Sequence, residues 1–219
     1  MDRGRLERLA PLTGLLAIAV FIVAIVIFPD EPPGTDESRE EVAKFWLDND
    51  NAAQISAALA TLAMVPFLWF AGSLRSVLRS AEGGTGRLAS IVFAGMLAFA
   101  IAVATGAAIQ WAIADAADDL PPESIQTLSP LVSGFFFPYV LGIAAWMLAI
   151  AVTVLRHGGL PKAIGWVSLV LGVLACTPIG WVSFLLAAPW VIAVSILLYR
   201  AQPAVAPPTA PASSPGSPS

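Results

Sequence analysis

Residues 163–199 contain no Asp, Glu, Lys, Arg or His, and a stretch of that length and character has few ways to fold. In a bilayer it crosses as helix, which satisfies its own backbone hydrogen bonds, and a crossing takes roughly 20 apolar residues at about 1.5 Å rise each. The pattern recurs in residues 12–28, 52–72, 88–114 and 131–155, each free of ionisable side chains. The last stretch is too long for one helix. Near its middle lies Thr177-Pro178-Ile179-Gly180, where proline removes an amide donor and glycine permits a tight turn, so it divides into 163–178 and 181–199. The expected fold is all-α: a polytopic membrane bundle of six transmembrane helices within a domain 12–200. A short N-terminal segment, 1–11, precedes it and a disordered proline-rich tail, 201–219, follows.

Composition excludes the main alternatives. The chain is 58% apolar and 12% charged with a mean hydropathy of +0.81, whereas soluble domains are about 45–50% apolar and about 25% charged. A water-soluble globule, a disordered regulator and a coiled coil are therefore set aside. With 11 Lys plus Arg against 15 Asp plus Glu there is no basic surface for nucleic acid, and no such partner is expected. The single cysteine, Cys176, forms neither an internal disulfide nor a cysteine metal cage.

The first span holds twelve Leu, Ile, Val or Phe residues, worth roughly −4 to −7 kcal/mol of insertion free energy. Phe28-Pro29-Asp30-Glu31 lacks the small-x-small cleavage site of a signal peptide, so the helix is expected to be retained. Placing the N-terminus in the cytoplasm puts nine basic residues on that side (Arg3, Arg5, Arg8, Arg75, Arg79, Arg87, Arg156, Lys162, Arg200) against two outside, Arg39 and Lys44. Six spans then return the C-terminus to the cytoplasm, and the inner (plasma) membrane is the expected location. A five-span alternative, with 163–199 partly re-entrant, would leave Arg200 outside. Twelve of the fifteen acids fall in the outer segments 29–51 and 115–130. Trp46, Trp111 and Trp181 mark outer span ends, Trp69, Trp166 and Tyr199 inner ones, as indole and phenol rings prefer the headgroup level. Trp146 and Trp190 lie deeper and read as packing residues. The tail has six prolines in 202–219 and no charge, so it cannot bury a core.

One outer segment carries a helical pattern. Val42, Phe45 and Trp46 recur at i, i+3 and i+4, Glu40 precedes Lys44 by four, and Ser38 with Glu41 has capping-box spacing. A short amphipathic helix over 38–48 is expected, capping the outer ends of the bundle and running into the second span. The other outer segment places Asp115, Asp118, Asp119 and Glu123 together, without the glycine and ligand spacing of a calcium loop; they are read as solvated charge, and no metal site is assigned.

No ionisable residue lies within the six spans, which argues against proton coupling, voltage sensing and intramembrane proteolysis. The remaining Ser, Thr and Gln side chains read as interhelical glue. Gln54 and Gln110 share a depth near the outer ends and are the candidate pair to face one cavity. Ala98, Ala102 and Gly106 form a small-residue stripe for close helix approach. Pro66, Pro138 and Pro189 are expected to kink the second, fourth and sixth spans, with Gly134 through Pro138 the hinge candidate. The prolines do not match between halves, so no inverted repeat of the transporter kind emerges.

Motif-like strings carry no chemistry on inspection. Glu40-Glu41 lacks the arginine of intramembrane prenyl-protein proteases, Phe45 standing in its place. Asp115 with Asp118-Asp119 lacks the glycine and downstream aspartates of alcohol phosphotransferases, and Gly83-Gly84-Thr85-Gly86 lacks the Gly-Lys-Ser/Thr of a phosphate loop. His157 lies in a turn with no second ligand or base beside it. No catalytic residue and no cofactor is assigned, and no ligand-binding residue is fixed.

Pro11-Leu12-Thr13-Gly14, Glu40-Glu41-Val42-Ala43, Leu74-Arg75-Ser76-Val77-Leu78-Arg79 and Leu160-Pro161-Lys162-Ala163-Ile164-Gly165-Trp166 together resemble a family of uncharacterised six-span bacterial integral membrane proteins of actinobacterial type. The resemblance covers about residues 9–200 and implies the architecture, with no activity or site to carry over. Two functions are expected: a non-enzymatic interaction or accessory protein with a membrane protein partner, or a binder or carrier of a small apolar or weakly polar molecule.

Overall fold

The computed structural model describes residues 9–28, 32–34, 36–134 and 136–201. All secondary structure among them is helical. A 3-10 turn, Ala10–Leu12, leads into α1 (Thr13–Ile27); α2 (Arg39–Asp48) and α3 (Asp50–Glu82) follow, separated by Asn49 alone. Then come α4 (Arg87–Asp115), α5 (Pro122–Leu128), α6 (Pro130–Gly134), α7 (Phe136–His157), α8 (Lys162–Ala175) and α9 (Trp181–Ala201). The expected tail is outside the described residues beyond Ala201, which itself closes α9, and so are residues 1–8.

Five helices are long and apolar enough to cross a membrane: Ala10–Ile27, Asp50–Glu82, Arg87–Asp115, Pro122–His157 and Trp181–Ala201. The expected span 163–178 is the shorter α8, whose 14 residues reach about 21 Å against about 30 Å of hydrocarbon. It stops at Ala175 because the chain tightens there: Cys176 N–H donates to Val173 O and Thr177 N–H to Leu174 O, both at 3.0 Å, three-residue bonds that end an α-helix. Pro178 then has no amide to continue it.

The other boundaries depart from the charge pattern in one instructive place. α3 does not stop near Gly72 but runs 33 residues to Glu82. Leu74 and Leu78, fully buried, keep its apolar stripe going past the first arginine, while the Arg75 guanidinium lies 5.7 Å from the Phe93 ring centroid. Pro66 and Pro189 lie inside uninterrupted α3 and α9. Pro138 falls in the first turn of α7 as described, where a missing amide leaves no bond unmade. The hinge candidate itself includes Phe135, outside the described residues.

α3 packs on α1 and α4, α4 on α7, and α7 on α8, with α9 closing against α8, α1 and α7. The backbones of α4 and α7 approach closely. A Cβ built on Gly95 would lie 2.7 Å from the Trp146 backbone nitrogen, and one on Gly142 would lie 2.9 Å from the backbone nitrogen of Phe99. This pair, and not the expected stripe, sets the crossing: Ala98 is exposed, although Ala102 and Gly106 are buried.

The bundle has two distinct ends. At the turn end, Gly83, Gly84 and Gly86 adopt φ of +67°, +56° and +64°, and Gly158 and Gly159 adopt +85° and +86°, left-handed geometry that disfavours any Cβ. Glu82 there accepts from the Leu88 and Ala89 amides, each at 3.1 Å, so its carboxylate caps α4. These bonds, Leu88's foremost, hold the Glu82 carboxyl below the usual carboxylate range.

At the other, capped end, α2 carries the expected capping box: Glu41 N–H donates to Ser38 Oγ at 3.2 Å and Ser38 N–H to Glu41 Oε2 at 3.1 Å. Val42, Trp46, Ala53, Ile113, Ala114 and Ile125 form a second small core beneath it. The cap is stapled by Trp46 Nε1 donating to Ser129 Oγ at 3.2 Å and by Gln126 Nε2 donating to Glu37 O at 3.0 Å. Among the described residues the ion pair is Arg39 with Glu123, 3.1 Å apart, and not Glu40 with Lys44. Docking α2 on α5 sets Arg39 opposite Glu123, which a reading of α2 as an isolated helix does not reveal.

Candidate functional site

Beneath the capped end the helices leave a cavity of about 170 Å³. Its walls come from every long helix: Phe21 and Ala24 of α1, Ser56 and Ala60 of α3, Gly106 and Gln110 of α4, Tyr139 of α7 and Phe184 of α9. Phe28, which closes one side, also packs on Phe45 and Trp46 at centroid distances of 5.8 and 6.0 Å. The short side chains of Ala60, Gly106 and Ala107 leave the space unfilled, and Phe28 links its wall to α2.

The polar groups are few. Gln110 Nε2 donates to Ala53 O at 2.8 Å, a bond between α4 and α3 that fixes the side chain at the cavity wall. Ser56 and Tyr139 add two hydroxyls. Among the described residues no carboxylate, amine, guanidinium or imidazole lines it. Gln54, the expected partner of Gln110, is not in the wall. It lies two residues from Ser56, about 200° round the helix axis at 3.6 residues per turn, so the two cannot share a face.

A second, apolar crevice of about 90 Å³ lies beside the first, with Phe21, Ile25 and Phe184 in the walls of both. An aromatic stack forms its floor. Phe99 lies parallel to Trp146 with centroids 6.0 Å apart and planes 11° apart; Phe67 and Trp190 flank the indole at 5.5 and 5.7 Å. Trp190 Nε1 donates to Ser168 Oγ at 3.0 Å. The Trp146 N–H, although its residue is 1% exposed, has no acceptor among the described residues. Ser195 Oγ is likewise unpaired and faces Gly14 of α1.

At the turn end an open groove of about 830 Å³ is lined by Pro11, Trp69, Val77, Leu160, Pro161 and Leu197, among others, with no charged side chain among the described residues. It shows that the start of α1, the α7–α8 turn and the close of α9 all lie at one end of the bundle.

The acidic residues Asp115, Asp118, Asp119 and Glu123 are not gathered into a donor set: among the described residues no three His, Cys, Asp or Glu side chains could hold a metal ion. Glu123 is turned instead toward Arg39. His157 is exposed. Phe21, Tyr139 and Phe184 were invisible as site residues in the sequence, because aromatic residues on apolar helices carry no signal that separates cavity wall from core. The only sequence pointer was Gln110, an amide set in an otherwise apolar run. No family model, protein of described function or solved structure matches the chain.

Proposed function

We propose that this chain is a non-enzymatic integral membrane protein that binds a small, mostly apolar molecule in the cavity under its cap. The observation that carries the reading is the cavity of about 170 Å³, whose wall offers an amide and two hydroxyls in an otherwise apolar lining, with an apolar crevice of about 90 Å³ beside it. An apolar cavity of about 150 Å³ is large enough for benzene, so the space suits one ring with a short chain. Ligand pockets of this type are apolar with a few placed polar groups. The accessory role with a protein partner, expected first from the sequence, draws on the arginines of the turn end, the acidic cap and residues 202–219, the last outside the described residues. The exposed Leu62, Leu141, Trp166 and Val170 are what lipid-facing helices present, and need no protein partner to explain them.

In this reading six helices cross the plasma membrane of a bacterial cell, α8 being the short one, with both termini in the cytoplasm and α2 and α5 capping the outer face. The turn end bears Arg75, Arg79, Arg87, Arg156, Lys162 and Arg200 against Arg39 and Lys44 at the capped end, and the positive side belongs inside. Since α8 leaves and α9 returns to that same end, the tail is cytoplasmic even if α8 spans incompletely. Alkaline phosphatase fused after Asp119 should be active, and fused after Glu82 or His157 inactive.

Binding is tested by purifying the protein from its native membrane in mild detergent and identifying co-extracted small molecules by mass spectrometry. One species should be retained at near-stoichiometric amount and lost in Ala60→Phe, which fills the cavity. Recovery of the same molecules, in the same amounts, from wild type and the filled variant would overturn the reading.

A further inference from the structure

We infer that the cavity selects a neutral apolar molecule bearing a hydroxyl group, which donates to Gln110 Oε1 and accepts from the Ser56 hydroxyl. The inference rests on the binding reading above and deepens it. Gln110 Nε2 is already committed to Ala53 O at 2.8 Å. A backbone carbonyl only accepts, so it fixes which end of the amide faces it and leaves Oε1 as the free end. Ser56 follows Ala53 by three residues on α3 and so lies on the same face, about one turn along. Ser56 and Gln110 both stand in the cavity wall. Neither oxygen has its bond made inside the protein. Thr61, Ser73, Ser80 and Ser90 each donate to the carbonyl four residues back. Ser56, although only 7% exposed, makes no such bond among the described residues, and Gln110 Oε1 accepts none there. The unpaired side-chain atoms sealed within the packing are Trp146 Nε1 and Ser195 Oγ. Ser56 Oγ and Gln110 Oε1 are not sealed in this way, so a small molecule reaches both.

That pairing is restrictive. Gln110 Oε1 can only accept, and an acceptor covered by a ligand without a donor is left unsatisfied at a cost. A ketone, ether or ester brings acceptors alone and leaves it so. A carboxylic acid or an alkylamine is ionised at neutral pH, and among the described residues no charged side chain lines the wall to balance it. A hydroxyl gives one proton and takes another, which matches a fixed acceptor beside a serine. Phe21, Phe28 and Phe184 in the same wall leave the rest of the molecule to be apolar. Two sources supply such a group: a diffusible alcohol or phenol, or the free hydroxyl end of a membrane lipid.

The test uses the full chain in phospholipid nanodiscs and equilibrium dialysis of radiolabelled phenol and toluene, which differ by a hydroxyl in place of a methyl. Discs carrying Ala60→Phe, whose cavity is filled, give the uptake into lipid that is subtracted. The ratio of phenol to toluene affinity should fall about fivefold to tenfold in Gln110→Leu, the worth of one hydrogen bond. It should stay unchanged in Gln54→Leu, a residue outside the wall. Distortion from losing the bond to Ala53 would weaken both probes alike and leave the ratio where it was. Ser56→Ala should lower the ratio in the same direction, and it decides the matter if Gln110→Leu fails to fold. Displacement of phenol by dioleoylglycerol and not by its acetyl ester identifies a lipid hydroxyl as the source; displacement by neither identifies a diffusible molecule. A ratio unchanged in both Gln110→Leu and Ser56→Ala overturns the hydroxyl inference and leaves cavity binding standing. Uptake of both probes no greater than in the filled variant removes both.

Discussion

Trp190 of α9 donates its indole N–H to the Ser168 hydroxyl of α8 at 3.0 Å, and Ser168 Oγ in turn donates to Ile164 O at 2.7 Å. Both side chains are buried. Together with Ser183 Oγ donating to Leu171 O at 2.8 Å, this chain of bonds holds the short α8 in place where length alone would not.

Ser168→Ala should therefore destabilise the fold by about 1 kcal/mol, the scale of a single interhelical hydrogen bond in a membrane interior. Thermal unfolding in detergent measures it. Adding Trp190→Phe to Ser168→Ala should cost less than the sum of the two single changes, because the orphaned donor disappears. Strict additivity would mean that the bond does not couple the helices.

At the cap, burial and charge make opposite claims, and burial wins. Trp46 is 0% exposed, whereas Arg39 and Glu123 are 56% and 61% exposed. Trp46→Ala should cost about 3–5 kcal/mol and release α2, seen as rapid amide exchange over residues 39–48. Arg39→Gln should leave stability and exchange unchanged, since an exposed ion pair contributes little against solvent screening.

Gly95→Ala should destabilise by about 1–3 kcal/mol through forced separation of α4 from α7, because the added methyl meets the Trp146 and Gly142 backbones. Gly72→Ala is the control. A Cβ there meets nothing within 4 Å, and replacing a mid-helix glycine should stabilise slightly. Chemical unfolding of the two variants side by side checks the contrast.

The Glu82 cap gives a pH dependence with a definite sign. Its carboxyl is held below the ordinary value of 4.5, so the folded state binds the proton less readily than the unfolded chain. Its stabilising contribution is present above that ordinary value and is lost as the pH falls through the lowered folded value. Protection of the Leu88 and Ala89 amides should fall over that acid range, and Glu82→Gln should show the weakened protection already at neutral pH. Identical protection in the variant would show that the carboxylate does not cap α4.

The sequence by itself determined the helical class, the position of the long apolar helices, the turn at Thr177 to Gly180 and the capping box of α2. Each depends on neighbours in the chain: hydropathy summed over a span, a missing proline amide, a serine three residues before a glutamate. It located Gln110 as well, as a lone amide in an apolar run. Tertiary packing alone decided the rest. Gly95 opposes Gly142 and Arg39 meets Glu123 because separate helices cross at particular angles. The cavity exists because small residues on α3 and α4 leave space between aromatic side chains of α1, α7 and α9. Trp146 and Trp190 read alike in sequence, two indoles deep in apolar runs, yet one finds a serine and the other none, since an acceptor's presence depends on which helix lies alongside.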